Sequence, residues 1–338
     1  MPAIRKKIKK YQPDGFISGI ILMIVLAWLM PDIGGESSLI HLKDLIKYGI
    51  TLLFFFYGLR LSPEKLVSDL KNWKLHLVIQ TISFLVFPLS ILIFWPFLKG
   101  TGSEVLWLAV FFLAALPSTV SSSVVMVSIA EGNVPGAIFN ASISGIIGII
   151  VTPLWMGIFL EKQSEAFAFG DVLIDLVRQI LVPLMVGLLL HRYLGGWATR
   201  HKRYLSLFDK SVILAIVYRS FSDSFTNGIF HGISWTDLIL LSGSVIALFF
   251  VMFNLTRWVS GWMKFSREDR ITIIFCGSKK SLVHGSVMAS VLFAGSATGG
   301  IALVPVMIYH AFQLFYVSIK ARKYSKDKSL LVVPAKNI

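Results

Sequence analysis

Cysteine is almost missing from this chain: Cys276 is the single one in 338 residues. One thiol excludes an internal disulfide framework and any multi-cysteine metal site. Charge is scarce as well. Only 15% of residues are charged, where a soluble domain carries about a quarter. Acids are the rarer sign, 18 against 32 Lys and Arg, which leaves a formal charge of +14. In a water-soluble chain that excess suggests nucleic acid. Here the basic residues cluster at the ends of apolar blocks, where they fix topology against an anionic inner leaflet, and no nucleic-acid partner is expected. The HExxH metalloprotease motif is also absent, and no metal or cofactor is called for. The basic run Arg5-Lys6-Lys7-Ile8-Lys9-Lys10 precedes an apolar segment without a convincing small-residue cleavage site, so no cleavable signal peptide is expected.

What the chain has in abundance is apolar surface: 55% of its residues, with mean hydropathy +0.75. No water-soluble fold hides that much, so the solvent is lipid. A hydrocarbon core of about 30 Å takes roughly 20 apolar residues per helix. The blocks that meet this length run roughly over 16–31, 45–61, 75–97, 105–129, 137–160, 173–193, 207–228, 236–259, 271–294 and 301–320. Ten spans with both termini inside place about 24 of the 32 basic residues in inner segments and about 4 in outer ones. The expectation is one all-α polytopic membrane domain over 1–338, in a bacterial inner membrane, with the lipid bilayer as its constant partner.

About four basic residues remain outside that inner and outer count, within the apolar blocks: Arg178, Arg219, Lys279 and Lys280. An ammonium at the bilayer centre costs about 2.5–3.5 kcal/mol on the insertion scale. Arg178, near a helix end, reads as a snorkelling side chain. Arg219 is either a buried ion pair or a substrate contact. Two blocks are interrupted. The fourth carries Leu116-Pro117-Ser118-Thr119-Val120-Ser121-Ser122-Ser123, and the ninth carries Phe275-Cys276-Gly277-Ser278-Lys279-Lys280-Ser281. Proline removes a backbone hydrogen bond and the hydroxyls offer replacements. The two breaks lie about 160 residues apart, at matching places in halves of opposite orientation, which is the best sequence pointer to a transporter's binding site. Broken backbone is tolerated in a bilayer only inside protein or beside a water-filled cavity.

At these residues the chain resembles the bile acid:sodium symporter superfamily, in its divergent seventh-member branch shared by bacteria and eukaryotes. The likeness rests on Phe55-Phe56-Tyr57-Gly58-Leu59-Arg60-Leu61, His76-Leu77-Val78-Ile79-Gln80, Pro117-Ser118-Thr119-Val120-Ser121-Ser122-Ser123-Val124, Glu131-Gly132-Asn133, Lys279-Lys280-Ser281 and Tyr309-His310-Ala311-Phe312-Gln313-Leu314. It implies two inverted five-helix repeats, about 11–162 and 170–323, whose fourth and ninth helices unwind and cross. A panel (about 16–61 and 173–228) would rock against a core (about 75–160 and 236–320). Typical members take up organic anions with sodium. Laid over their Glu-x-Gly-x-Gln-Asn stretch, this chain has Phe275 at the Glu position, Lys279 at the Gln position and Lys280 at the Asn position. The sodium site is therefore not carried across intact, although Gln80 and the hydroxyls of Ser121, Ser122 and Ser123 survive.

These readings give secondary transport of a small organic anion by alternating access, with sodium-independent or proton-linked coupling. Lys279 is expected to occupy the vacated cation position, and Lys280 to help attract the anion. Candidate contacts are Gln80, Pro117, Ser118, Thr119, Ser121, Ser122, Ser123, Asn140, Arg219, Lys279, Lys280, Ser281, His310 and Gln313. Ser142 and Ser144 read first as packing residues, and His76 as structural. His310 and Gln313 share a helix face, and serve either the site or a helix–helix hydrogen bond. Two other classes compete: a regulatory membrane protein that moves no solute, and an intramembrane enzyme built on Ser281 and His284, which lacks a nucleophile–base–orienter set. Charge asymmetry gives a direct test of topology. Single-cysteine labelling in intact cells is expected to find both termini shielded, and a tag at Lys328 reached from outside would overturn the ten-span arrangement.

Overall fold

The computed structural model describes residues 15–34, 41–61, 72–160, 169–228, 230, 233–294, 296, 298–327 and 331. The basic run at 5–10, most of the inner loop at 62–71 and Lys328 lie outside these residues, as does the side chain of Ser121. All regular structure among the described residues is helical.

Helices α1 (Gly15–Leu29) and α2 (Leu42–Arg60) are followed by α3 (Trp73–Leu98), which is 26 residues long. The fourth apolar block is two helices, α4 (Glu104–Ala115) and α5 (Ser121–Ile129), parted at Pro117. Helix α6 (Val134–Leu160) is continuous. Next come α7 (Ile174–Leu189), α8 (His191–Arg200), α9 (Lys202–Thr226) and α10 (Trp235–Trp262). The ninth block is again two helices, α11 (Arg267–Gly277) and α12 (Leu282–Leu292), before α13 (Gly299–Lys326) closes the bundle. Helices α3, α6, α10 and α13 are each long and apolar enough to cross a membrane, and the bent pair α7–α8 makes a fifth candidate. Exposed apolar side chains such as Leu22 and Trp28 on α1, Leu52 on α2, Ile93 on α3, Leu154 on α6 and Leu240 and Val251 on α10 cover the outside of the bundle. The chain is a polytopic helical membrane protein.

One boundary differs from the sequence reading. The sixth span does not run on to residue 193: α8 turns off α7 by 97°. Its small residues Gly195 and Ala198 are buried, while Arg192, Tyr193 and Arg200 are exposed. His191 Nδ1 lies 2.8 Å from Leu59 O, and the Trp197 ring packs tilted against Phe56 with ring centroids 6.2 Å apart. Such a pattern suits a helix lying along an interface.

Helices pack in two groups. In the first, α2 runs along α7 and α1 along α9, and Arg60 Nη2 donates to Asp209 Oδ2 across 2.8 Å. In the second, α3, α4, α5 and α6 pack with α10, α11, α12 and α13. One end of this second group is tied by Asn133, whose Nδ2 donates to Asp269 Oδ1 (2.8 Å) and whose carbonyl accepts from Thr272 Oγ1 (3.0 Å). Serine caps start three helices: Ser234 on α10, Ser266 on α11 and Ser281 on α12.

The α2–α7 contact depends on two glycines. A Cβ on Gly58 would run into the carbonyl of Leu184, and one on Gly187 into the carbonyl of Phe55. Small residues let membrane helices approach backbone to backbone, where van der Waals packing and not hydrophobicity holds them. Gly58→Ala and Gly187→Ala are each expected to lower the thermal stability of detergent-purified protein by overpacking of about 1–3 kcal/mol. Gly243→Ala, on α10 with nothing within 4 Å, serves as the control that leaves it unchanged or higher.

Candidate functional site

The two interruptions meet. Past Ala115 the backbone of Leu116 turns extended, and Pro117, Ser118 and Thr119 form no helix. Ser278, Lys279, Lys280 and Ser281 interrupt the other block. Ser281 N donates to Pro117 O at 2.9 Å, Ser118 Oγ to Cys276 O at 2.6 Å, and Ser123 Oγ to Phe275 O at 3.3 Å. Each strand of the crossing thus satisfies backbone groups that the other leaves open, as a medium without water requires. From α6, Ser144 Oγ accepts from Ser118 N at 3.0 Å and Thr152 Oγ1 donates to Ala115 O at 2.8 Å. From α13, Tyr309 Oη donates to Ser278 O at 2.7 Å.

The two lysines, in the non-helical segment between the helices, carry their ammonium groups to different partners. Lys279 is fully buried, and its Nζ donates to Ser122 Oγ at 3.1 Å. Ser122 in turn donates to Thr119 Oγ1 at 3.0 Å, and Thr119 and Ser123 share a 2.7 Å bond. Lys280, 1% exposed, carries its ammonium into a cage of three carbonyls: Ser83 O (2.8 Å), Ala114 O (2.7 Å) and Leu116 O (2.8 Å). The Phe87 ring closes the cage, with its centroid 4.0 Å from Nζ. Gln313 grips the Lys280 backbone at both ends, accepting from N (2.9 Å) and donating to O (2.7 Å). The two ammonium groups thus meet different oxygens, Lys279 a hydroxyl of the Ser/Thr run and Lys280 three backbone carbonyls. Lys280 Nζ spends its three donors on that cage.

The cage depends on a feature the sequence reading missed. Residues Ile82–Val86 of α3 form a π-turn, in which Phe87 N reaches back to Ile82 O. Pro88, next in line, has no N–H to give. Ser83 O and Phe84 O thereby lose their usual intrahelical donors. Lys280 Nζ takes the first, and Trp155 Nε1 takes the second at 2.8 Å. Pro88 inside an apolar block was the available signal.

The other candidates divide. Gln80 Nε2 donates to Asn140 Oδ1 at 3.1 Å, and Asn140 Nδ2 donates to Gly136 O and meets His76 Nδ1, each at 2.8 Å. This cluster joins α3 to α6 one turn from Ser144. Ser142 Oγ bonds its own helix, at Ile138 O. His310 Nδ1 lies 3.0 Å from Gln313 Nε2 and the His310 side chain borders an apolar cleft of about 870 Å³, which Ile20, Ile24, Phe221, Phe225 and Leu238 also line. Arg219 is not at the crossing. Its Nε pairs with Asp223 Oδ2 at 3.5 Å beside a polar cleft of about 180 Å³, lined also by Lys47, Asp175, Gln179 and Ser290. Ser281 and His284 do pair, at 3.0 Å, but the serine caps α12 and no third group among the described residues orients the histidine.

Two broken helices that meet inside a polytopic bundle are an arrangement familiar from membrane transporters. The chain belongs to the SBF-like CPA transporter family, whose model matches residues 14–326. It is 36% identical over 319 residues to the uncharacterized protein PA2026 of Pseudomonas aeruginosa, covering 94% of this chain and 95% of that one. YfeH of Escherichia coli K12, whose name calls it a candidate symporter, is 32% identical over 318 residues, with 94% and 95% covered. The Xenopus tropicalis protein named sodium/bile acid cotransporter 7 is 32% identical over 335 residues, with 96% of each chain covered. These relationships point to transport and away from catalysis.

Unequal substitution effects follow from the geometry. Lys280→Met leaves three buried carbonyls without their donor, and is expected to lower the stability of purified protein by roughly 2 kcal/mol or more. Lys279→Gln keeps a donor for Ser122 and is expected to change it by under about 1 kcal/mol. Thermal unfolding in one detergent measures both.

Proposed function

We propose that this protein is a secondary transporter that carries a small organic anion by alternating access, with the Lys280 ammonium standing in for a dissociable coupling cation. The observation that carries the reading is the oxygen cage at the crossing, filled by the chain's own charge. A sodium ion about 4 Å from that ammonium would be repelled by about 4 kcal/mol at an effective dielectric near 20. That is about three decades of affinity. Coupling is then sodium-independent, or linked to protons through Lys279 and its hydroxyl neighbours. The Xenopus relative's name specifies sodium and bile acid; the first of these is not transferred to this chain.

The architecture proposed is ten passes in two inverted repeats, with both termini on the cytoplasmic side of a bacterial inner membrane. Its support is the exchange of partners between halves: α2 packs on α7 as α1 packs on α9, the pairing expected when first and second helices of each repeat swap roles. Helices α1, α2, α7 and α9 would form the panel, and the others of the bundle, apart from α8, the core. Both clefts open along that seam, where a rocking motion would expose and cover a solute.

Reconstitution tests the proposal. In proteoliposomes loaded with carboxylates, sulfonates or phosphates, counterflow of a labelled organic anion is expected at equal initial rates in sodium and in N-methylglucamine media. Saturable stimulation by sodium would overturn the tethered-cation reading while leaving the transporter assignment in place.

A further inference from the structure

Two buried polar atoms reach toward one point at the seam of the helix groups, and the crossing makes no use of them. Tyr57 Oη on α2 and His284 Nε2 on α12 have no hydrogen-bond partner among the described residues. Gly145 on α6 faces both. A Cβ built there would stand 2.9 Å from His284 Nε2 and 3.2 Å from Tyr57 Oη. The two rings meet edge to face at 5.8 Å, and Phe54 meets each of them in the same way. Leaving a buried donor unmade costs about 1–3 kcal/mol, so two that converge call for a shared partner.

Hydrogen-bond accounting fixes what that partner offers. Ser281 Oγ accepts from His284 N at 3.3 Å and lies 3.0 Å from His284 Nδ1. The serine proton has no other acceptor among the described residues. Donated to Nδ1, it satisfies both groups and leaves the ring proton on Nε2. Tyr57 Oη carries a proton of its own. Two donors therefore face one point, and the N-terminal end of α12, which Ser281 caps, adds its positive field.

We propose that Tyr57 Oη and His284 Nε2 seat a carboxylate oxygen of the transported solute between α2 and the crossing, with Gly145 bare to admit it. The inference rests on the anion-transport reading above and deepens it. A carboxylate suits two neutral donors, whereas a dianion such as phosphate needs countercharge in so dry a place. Because the donors belong to different helix groups, a solute bound there bridges the seam and its binding depends on how the groups stand.

The test uses full-length protein in lipid nanodiscs, labelled with ¹⁵N-histidine, and benzoate, acetate and inorganic phosphate as probes. Benzoate or acetate is expected to shift saturably the resonance that His284→Gln removes. In Tyr57→Phe, which keeps the ring and loses one atom, and in Gly145→Ala, affinity is expected to fall roughly tenfold or more. The unfolding temperature of ligand-free Tyr57→Phe is expected to equal or exceed that of the wild type, because the hydroxyl it loses is unpartnered within the chain. Carboxylate binding of equal affinity in wild type and Tyr57→Phe overturns the seat and leaves anion transport standing. Phosphate binding as tight as benzoate overturns the carboxylate assignment. Wild-type protein that neither binds nor exchanges either carboxylate overturns both readings.

Discussion

An ammonium ion held by backbone carbonyls is the interaction on which the centre of this protein depends. A helix broken within a membrane leaves carbonyls that lipid cannot satisfy, and Ala114 and Leu116 stand at such a break. A lysine driven into the same interior loses several kcal/mol of hydration. Each defect removes the other. Ser83 completes the coordination only because the π-turn before Pro88 frees its oxygen, so three separate irregularities in three segments form one satisfied group. The aromatic face of Phe87 takes the remaining side of the ion, a contact worth more where water is excluded.

Around this centre the bundle is built unevenly. The crossing is laced by hydrogen bonds between segments more than 150 positions apart. The α2–α7 pair instead rests on shape: two glycines facing each other's carbonyl-bearing turns. Hydrogen bonds hold the crossing, whereas the seam between the two helix groups carries two clefts. The polar cleft beside Arg219 and the apolar cleft beside His310 both lie there.

Much of this was legible in the chain. Block lengths and the scarcity of charge announce a helical membrane protein, and Pro117 and Gly277 mark the helix breaks because both residue types disturb helices in any context. The lysine pair announces a site for the same reason: buried charge demands explanation. Which oxygens each lysine meets was not legible. The direction of a side chain leaving an irregular segment is decided by where oxygens happen to be free, and Ser83 lies nearly 200 positions away from Lys280. The bend before His191 was missed because an apolar block running into Tyr193 and Leu194 looks the same whether it continues through the bilayer or turns along its surface. Arg219 was expected as a candidate contact, yet its neighbours are the polar cleft and Asp223. Tyr57 and His284 come together only through the fold, with more than 200 positions between them.

A cation bonded to the polypeptide differs thermodynamically from one drawn from solution. A dissociable ion enters on one side of the membrane and leaves on the other, so each turnover collects the difference in its electrochemical potential. In the proposed cycle, the Lys280 ammonium returns to its starting place with the chain. Over a closed cycle it contributes zero net work, however large its effect on the intermediate states. A carrier whose central cation is covalent has surrendered that source of drive. Any uphill accumulation must then be powered by a soluble species, whether a proton or a second solute moving the other way.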